Sequence, residues 1–373
     1  MRVVFLQDHL RNGGTENQTL HLAEELAQIG YDTHIIVFRR GGVLDAKAQD
    51  SKTQIHFLRQ GPLKVDWFAP GLKRLLASLA PDAVIPMGRI ANCHAGRLTK
   101  ASRDYKLIST FRTGKSIPAL YRTALQKSDH LITNSNEALR RLNTTYSINR
   151  PEDSTVIYNG CILKNSSSQI FNQLPSEATL KELNDETSSI HNSDRRSVNL
   201  LSVCMFRPEK KQIRLLRLCG ALKTSTPWHL TLAGDGPERT ACQAEAKRLG
   251  ITDQTSFPGL LADPSQLYAE SHIALHASDS ESLPNFLVEA QMAGLPVVAY
   301  DTGGVGETFV DQKSGYLIKH GDEATFLEKL TLLIDSDDLR HQMSVTARDH
   351  AHTHFTPETQ IHAYQSLIER LCS

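Results

Sequence analysis

No stretch of these 373 residues stays apolar for the roughly 20 positions that a membrane-spanning helix needs. The opening MRVVFLQDHLRNGG holds too short an apolar run for a secretory signal. Cysteine is present but unpatterned. Cys93, Cys161, Cys204, Cys219, Cys242 and Cys372 form no C-x-x-C pair and no regular spacing, which excludes a disulfide scaffold and a zinc ribbon. They read as buried thiols of a reduced, cytoplasmic protein. The sixteen histidines add no Cys/His spacing of a metal centre, so no metal site is expected. No Ser/His/Asp set is recognisable, and no G-x-G-x-x-G follows the first strand, which counts against a dinucleotide site. There is no charge excess either. Lys+Arg and Asp+Glu both number 41, which argues against nucleic acid as a partner.

The zero balance hides an asymmetry. Residues 1–165 carry 23 Lys+Arg against 14 Asp+Glu, and the rest carry 18 against 27. A basic half joined to an acidic half fits contact with an anionic membrane surface or a phosphorylated acceptor; it equally fits a chance partition. Arg97, Lys100, Arg103, Lys106, Arg112, Lys115 and Arg122 fall in one short region and read either as an anion-attracting patch or as solvated surface.

The length exceeds what one hydrophobic core usually organises. Short apolar runs alternate with amphipathic segments. Val3–Leu6, Thr33–Phe38, Ala83–Met87, Leu107–Thr110 and His130–Asn134 read as buried parallel strands, and 15–29 as a helix with its stripe on Leu20, Leu22, Ala23, Leu26 and Ala27. From Lys164 the chain turns rich in Ser, Asn and charge, a connection with a surface insertion over 166–197. The alternation restarts with strands at Val198–Val203, His229–Ala233, Thr255–Phe257, Ile273–His276 and Pro296–Tyr300. Helices at 323–334, 338–353 and 357–371 finish the chain. The fold class is therefore α/β: two Rossmann-like, doubly wound domains, 1–165 and 198–355, facing across a cleft, with a helix at about 356–373 packing back on the first. Ligands of such sheets bind in the loops after the strands.

Those loops carry the candidate chemistry. Gly13-Gly14 opens the first helix; it is either a tight turn or a close approach to an anion. Arg207-Pro208-Glu209-Lys210-Lys211 follows the first strand of the second half and is either a diphosphate clamp or a solvated loop. Gly234-Asp235-Gly236-Pro237 reads as a structural turn. In DSESLPNFLVEAQMAGLPVVAYDTGGVGE, Glu281 precedes a helix over 285–293 that contains Glu289. Either the two carboxylates accept from sugar and ribose hydroxyls around a phosphate at the helix N-terminus, or Glu281 caps and Glu289 is surface. Asp301–Glu307 makes a second glycine-rich loop expected to open a helix. Asp335-Ser336-Asp337 reads as a cap between two helices, not a metal pair.

The run ESLPNFLVEAQMAGLPVVAYDTGG resembles the E-x7-E signature of retaining nucleotide-sugar glycosyltransferases of family 4, the group 1 transferases of the GT-B fold. The resemblance extends over 198–316 through VCMFRPEKK, LAGDGPE, FPGL, GGVGE and SGYL. In the first half it runs through NGGTENQTLHLAEEL, SDHLITNSNEAL and VIYNG. It implies that Glu281 contacts hydroxyls of the transferred sugar and Glu289 those of the ribose. The backbone near Asn285, Phe286 and Leu287 would bind the diphosphate with Lys210, and Gly259-Leu260 would lie against the base. Gly13 and Gly14 would approach from the opposite wall. Two departures stand out. The family often has Gly-Arg where this chain has Cys204-Met205, making Arg207 the nearest substitute. A histidine common near the reaction centre is matched by Arg112, in STFRTG, as in the branch that extends polyprenyl-diphosphate-linked sugars and surface polysaccharides.

The implied activity is a retaining, metal-independent hexosyltransferase that requires no cofactor. Its substrates would be a UDP-sugar or GDP-sugar and a glycan or lipid-linked saccharide acceptor, in surface polysaccharide or glycolipid synthesis. Glu281, Lys210 and Arg112 are the expected catalytic residues, and peripheral contact with the inner face of the cell membrane is expected. A sugar-nucleotide epimerase of the same fold and a non-catalytic carbohydrate-binding scaffold are the alternatives.

Overall fold

Every strand of the chain's two sheets is parallel to its neighbours, which requires that both faces of each sheet be covered. The structure is a computed structural model describing residues 1–11, 13–42, 44, 52–58, 69–98, 103–161 and 197–373. The connection expected at 166–197 therefore lies outside the described residues except for Ser197, as does Lys100.

The chain divides into two units. The first comprises Met1–Ile162, Glu281–Leu283 and His354–Ser373; the second comprises Leu163–Ser280 and Pro284–Thr353. In the first unit the strands are β1 (Arg2–His9), β2 (Asp32–Arg39), β3 (Gln54–Phe57), β4 (Ala83–Pro86), β5 (Lys106–Phe111), β6 (His130–Thr133) and β7 (Ser154–Val156), in the order β3-β2-β1-β4-β5-β6-β7. The second unit has β8 (Val198–Val203), β9 (Trp228–Ala233), β10 (Thr255–Gly259), β11 (Ile273–His276), β12 (Val297–Tyr300) and β13 (Gly315–Ile318), in the order β10-β9-β8-β11-β12-β13. In each sheet the order reverses beside the first strand, the topological switch point where α/β sheets take ligands.

The two-residue period of a strand sorts its side chains between faces. Val3, Phe5, Ile35, Val37, Ala83 and Ile85 pack in one core of the first unit, and Val4, Leu6, Ile36, Phe38 and Val84 in another. In the second unit Leu200, Leu230, Ile273, Leu275 and Val298 face one core, whereas Leu201, Ala274, Val297 and Ala299 face the other. Continuous apolar runs, not alternation, are what such a sheet demands, and these runs made the strands visible in the sequence.

Three strands escaped that reading. Gln54–Phe57 and Ser154–Val156 are edge strands of mixed polarity, and Gly315–Ile318 begins at a glycine. The loop Asp301–Glu307 does not open an α-helix. It makes a single 3-10 turn at Val305–Glu307 and leads on to β13. Ser336 accepts from the Leu339 amide at 3.2 Å, so the Asp335–Asp337 turn is indeed a cap, while Asp335 takes the Thr224 and Thr226 hydroxyls.

The helix Pro357–Cys372 belongs to the first unit. Thr356 caps it, accepting from Thr359 at 3.1 Å, and Pro357 fits the first turn. Ile361, Tyr364, Leu367 and Ile368, spaced for one helical face, join the core that holds Val3 and Phe5. A buried amide chain reinforces the docking: Gln360 donates to Gln18 at 3.0 Å, and Gln18 donates to the Gly160 carbonyl at 2.6 Å. Among the described residues no helix is long and apolar enough to cross a membrane. Ile368 is fully buried. Its replacement by Ala should cost about 2–5 kcal/mol, read as a lowered urea midpoint. An unchanged midpoint would mean that the helix contributes little to that core.

Candidate active site

In the second unit, three post-strand loops are held against one another by backbone contacts that only particular residues allow. After β8 the chain turns at Cys204, whose amide donates to the Ala233 carbonyl at 3.0 Å, and at Phe206, whose amide donates to Asp235 at 2.9 Å. Gly234 sits at φ +130°, and a Cβ there would fall 2.1 Å from the Cys204 carbonyl oxygen. The turn Gly234–Pro237 is thus a packing device, and glycine is the residue that fits it. The Gly234 amide in turn donates to the Gly259 carbonyl at 2.8 Å, which fixes the Gly259-Leu260 segment; Leu260 is exposed.

Pro208–Lys210 forms one 3-10 turn, and Lys211 takes a left-handed conformation, φ +53°, before the helix Gln212–Gly220. Arg207 is exposed and Lys210 half-buried. The loop after β11 is tied to this turn by one carbonyl. Glu209 accepts from the Asp279 amide at 2.8 Å and from the Ser278 hydroxyl at 2.9 Å. The Asp279 carboxylate lies 2.9 Å from Arg214, 3.0 Å from His320 and 3.3 Å from Lys211. Burial pulls its pKa upward, but the hydrogen bonds from His320, Arg214 and Lys211 hold it below the usual carboxylate range. Nothing in the spacing of DSES marked Asp279 beforehand; its partners come from two separate segments, the start of the helix Gln212–Gly220 and the loop after β13.

The helix Asn285–Met292 follows Pro284, and no side chain caps its N-terminus. The Leu287 amide is turned back onto the Pro284 carbonyl at 3.0 Å, so of the three amides expected to face a ligand, this one already has an acceptor. Phe286 and Leu287 anchor the helix in the core. Glu289, one turn further, accepts a short hydrogen bond from the Tyr268 hydroxyl. Burial pushes Glu289 up to about 7, with the Tyr268 bond opposing. It is therefore no ordinary surface carboxylate. Tyr268 was missed because it precedes the strand leading to the site and looks like core.

Glu281 is half-buried. Its segment groups with the first unit, where the Ser282 hydroxyl donates to Asn134 at 2.5 Å. In that unit Gly13 takes an ordinary extended conformation, φ −121°, but a Cβ would lie 2.5 Å from the Glu16 carboxylate. The crowding atoms are the far end of a flexible side chain, so neither space nor backbone freedom demands glycine there. Glu16 lies 2.9 Å from His9, and Gly14 begins the helix Gly14–Gln28. Arg112, at the end of β5, donates to Asn159 at 2.6 Å and to the Tyr364 hydroxyl at 3.4 Å. Its guanidinium is thereby oriented by a strand-end loop and by the helix Pro357–Cys372.

The described residues of the basic run do not form one patch. Lys106 starts β5 and Arg112 follows its end, roughly 20 Å apart by strand rise. Arg103 is consumed in a buried pair with Asp129 at 2.5 Å, and Arg122 lies over the Tyr146 ring. Among the described residues no three His, Cys, Asp or Glu side chains group as metal ligands; His350 and His354, one turn apart on a helix and passed over in the sequence, lack a third.

Two family models match the chain: "Glycosyltransferase Family 4" over residues 12–164 and "Glycosyl transferases group 1" over residues 184–350. N-acetyl-alpha-D-glucosaminyl L-malate synthase of Bacillus anthracis is 26% identical over 261 residues, covering 70% of this chain and 64% of that protein. The chain thus spans slightly under two thirds of that relative. An uncharacterized glycosyltransferase of Haemophilus influenzae is 27% identical over 355 residues, 90% of this chain and 91% of that one. The fold is shared with Anabaena HepE, solved in complex with UDP-glucose, at TM-score 0.80 and 18% identity over 99% of this chain and 100% of HepE. It is shared as well with sucrose-phosphate synthase of Thermosynechococcus elongatus, at TM-score 0.77 and 15% identity over 100% and 99%. With two parallel-sheet units and both family models matched in order, the chain belongs to the group 1 glycosyltransferases of the GT-B fold.

Proposed function

We propose that this chain transfers a hexosyl group from a nucleotide diphosphate sugar, with retention of anomeric configuration and without a metal. A UDP-sugar is the favoured donor, and the acceptor is a glycan or lipid-linked saccharide of surface polysaccharide or glycolipid synthesis. The observation that carries this reading is the Glu209 carbonyl, which pins the Lys210 turn to the loop running into Glu281. HepE binds UDP-glucose and WaaB is named a lipopolysaccharide outer core galactosyltransferase, which supports the donor class and the acceptor class.

The chemistry needs the departing diphosphate stabilised more than it needs a protein nucleophile. Lys210 and Arg207 supply positive charge, and the N-terminus of the helix Asn285–Met292 supplies the positive end of its dipole. A leaving phosphate oxygen takes the acceptor hydroxyl proton on the same face as the new glycosidic bond forms. Glu281 holds hydroxyls of the transferred sugar, and Glu289 those of the ribose. In the first unit Arg112, fixed by Asn159 and Tyr364, faces the acceptor; a diphosphate-linked saccharide suits a guanidinium so oriented. Docking to anionic membrane would rest on the exposed Lys115 and neighbouring residues at that end of the sheet, since Arg103 and Lys106 lie at the other.

Lys210→Ala should lower kcat/KM by about 100- to 1000-fold. Glu281→Gln should lower it by about 10- to 100-fold, the worth of a charged hydrogen bond. Near-wild-type turnover in both would refute the site. Isothermal titration against UDP, GDP and ADP in EDTA should show tight binding of one nucleotide, UDP first among them. Binding that appears only when a divalent cation is restored would overturn the metal-independent mechanism.

A further inference from the structure

Tyr268 lies on the helix Ser265–Glu270 and is 1% exposed, yet its hydroxyl reaches Glu289, 21 residues on. Its ring is seated against Phe286, centroids 6.2 Å apart, within the core that also holds Leu287 and Ala290. A tyrosine locked in this way has one place to put its hydroxyl. Glu289 stands on the helix that begins at Pro284, so the bond ties the only carboxylate of that helix to a rigid neighbour. We propose that Tyr268 is a positioning residue of the nucleotide subsite: its hydroxyl holds the Glu289 carboxylate in the orientation that accepts both ribose hydroxyls, and so makes the site select ribose over deoxyribose. The proposal rests on the reading of Glu289 as the ribose contact.

The physical case is one of acceptor capacity and entropy. An ionised carboxylate offers about four lone-pair sites. Tyr268 occupies one on Oε2, which stops the group from rotating and leaves the remaining sites to a vicinal diol. A free glutamate would have to be ordered by the ligand itself, at a cost in lost rotamer freedom. A nucleotide lacking the two hydroxyls leaves the carboxylate with Tyr268 as its donor and its remaining acceptor sites unfilled, and buried polar groups discriminate strongly against a ligand that fails to satisfy them.

The same arrangement couples binding to a proton. Burial pushes Glu289 up to about 7, and the Tyr268 bond acts downward. The titratable groups facing it are Tyr268 from the helix Ser265–Glu270 and, beyond Phe286, His276 at the end of β11, its ring 6.1 Å from that of Phe286. Ribose hydroxyls bind the ionised carboxylate. Affinity is therefore full above the pKa of the empty site and falls as pH drops through it, about tenfold per unit in the limit. Removal of the Tyr268 hydroxyl raises that pKa and moves the midpoint to higher pH.

The test is isothermal titration of the full chain with UDP and with 2′,3′-dideoxy-UDP, for wild type, Tyr268→Phe and Glu289→Gln, at pH 6 to 8.5. The GDP pair replaces them if GDP is the nucleotide bound. Wild type is expected to prefer UDP by at least tenfold. Tyr268→Phe should weaken UDP by about tenfold, leave the dideoxy nucleotide unchanged and shift the pH midpoint upward. In turnover it should raise the donor KM with kcat within about twofold. A merely structural tyrosine would weaken both nucleotides alike, which would overturn the proposal. Equal affinity of wild type for the two nucleotides would do the same and needs no variant. Discrimination lost in Glu289→Gln but kept in Tyr268→Phe would remove Tyr268 from the role while leaving Glu289 at the ribose. Discrimination kept in Glu289→Gln would show instead that the ribose reading itself had failed.

Discussion

One peptide carbonyl, that of Glu209, ties together two post-strand loops of the second unit. Two hydrogen bonds converge on it from the loop after β11, so the basic turn is tied to the segment that runs into Glu281. Around it the charges are balanced locally: Asp279 gathers Lys211, Arg214 and His320. The left-handed backbone at Lys211 separates two adjacent lysines that look redundant in the sequence, and Lys211 is committed to Asp279.

The first unit treats its positive charge differently. Among the described residues, Lys106 and Arg112 lie at opposite ends of β5, and Arg103 is spent on an internal partner, Asp129. What counts there is orientation. Arg112 is held by groups from two distant segments, Asn159 and Tyr364, and a guanidinium with a fixed plane recognises an oxyanion better than several mobile lysines do. Asp8, near the end of β1, is another charge held by groups from a distant segment. Burial raises its pKa, and the Ile90 and Ala91 amides, at 3.0 and 2.7 Å, offset part of that cost.

Much of this was legible in the linear sequence, for a physical reason. Parallel strands covered on both faces must be unbroken apolar runs, so Val3–Leu6 and Ile273–His276 announced themselves. Edge strands such as Gln54–Phe57 are half-exposed and carry no such mark. Glycines were visible as loops, but their purpose was not: Gly234 is needed because a carbonyl lies behind it, whereas Gly13 faces only the movable end of Glu16. The candidate ligand residues were found by spacing and resemblance, whereas their supports were not. Asp279 and Tyr268 gain their roles from partners dozens of residues away, and only the folded chain brings those together.

The helix Pro357–Cys372 completes a core whose strands were laid down by residue 156. On the ribosome, the first unit's sheet must wait while about 200 more residues are added, some 10–40 s at usual elongation rates. During that interval the apolar groove that will receive Ile361, Tyr364, Leu367 and Ile368 stands open to water. The second unit, continuous from 163 to 353 apart from the three residues Glu281–Leu283, meanwhile has its whole sequence available. The unit synthesised first is thus the unit finished last. Its exposed groove, not the six-stranded second sheet, is where a chaperone would act.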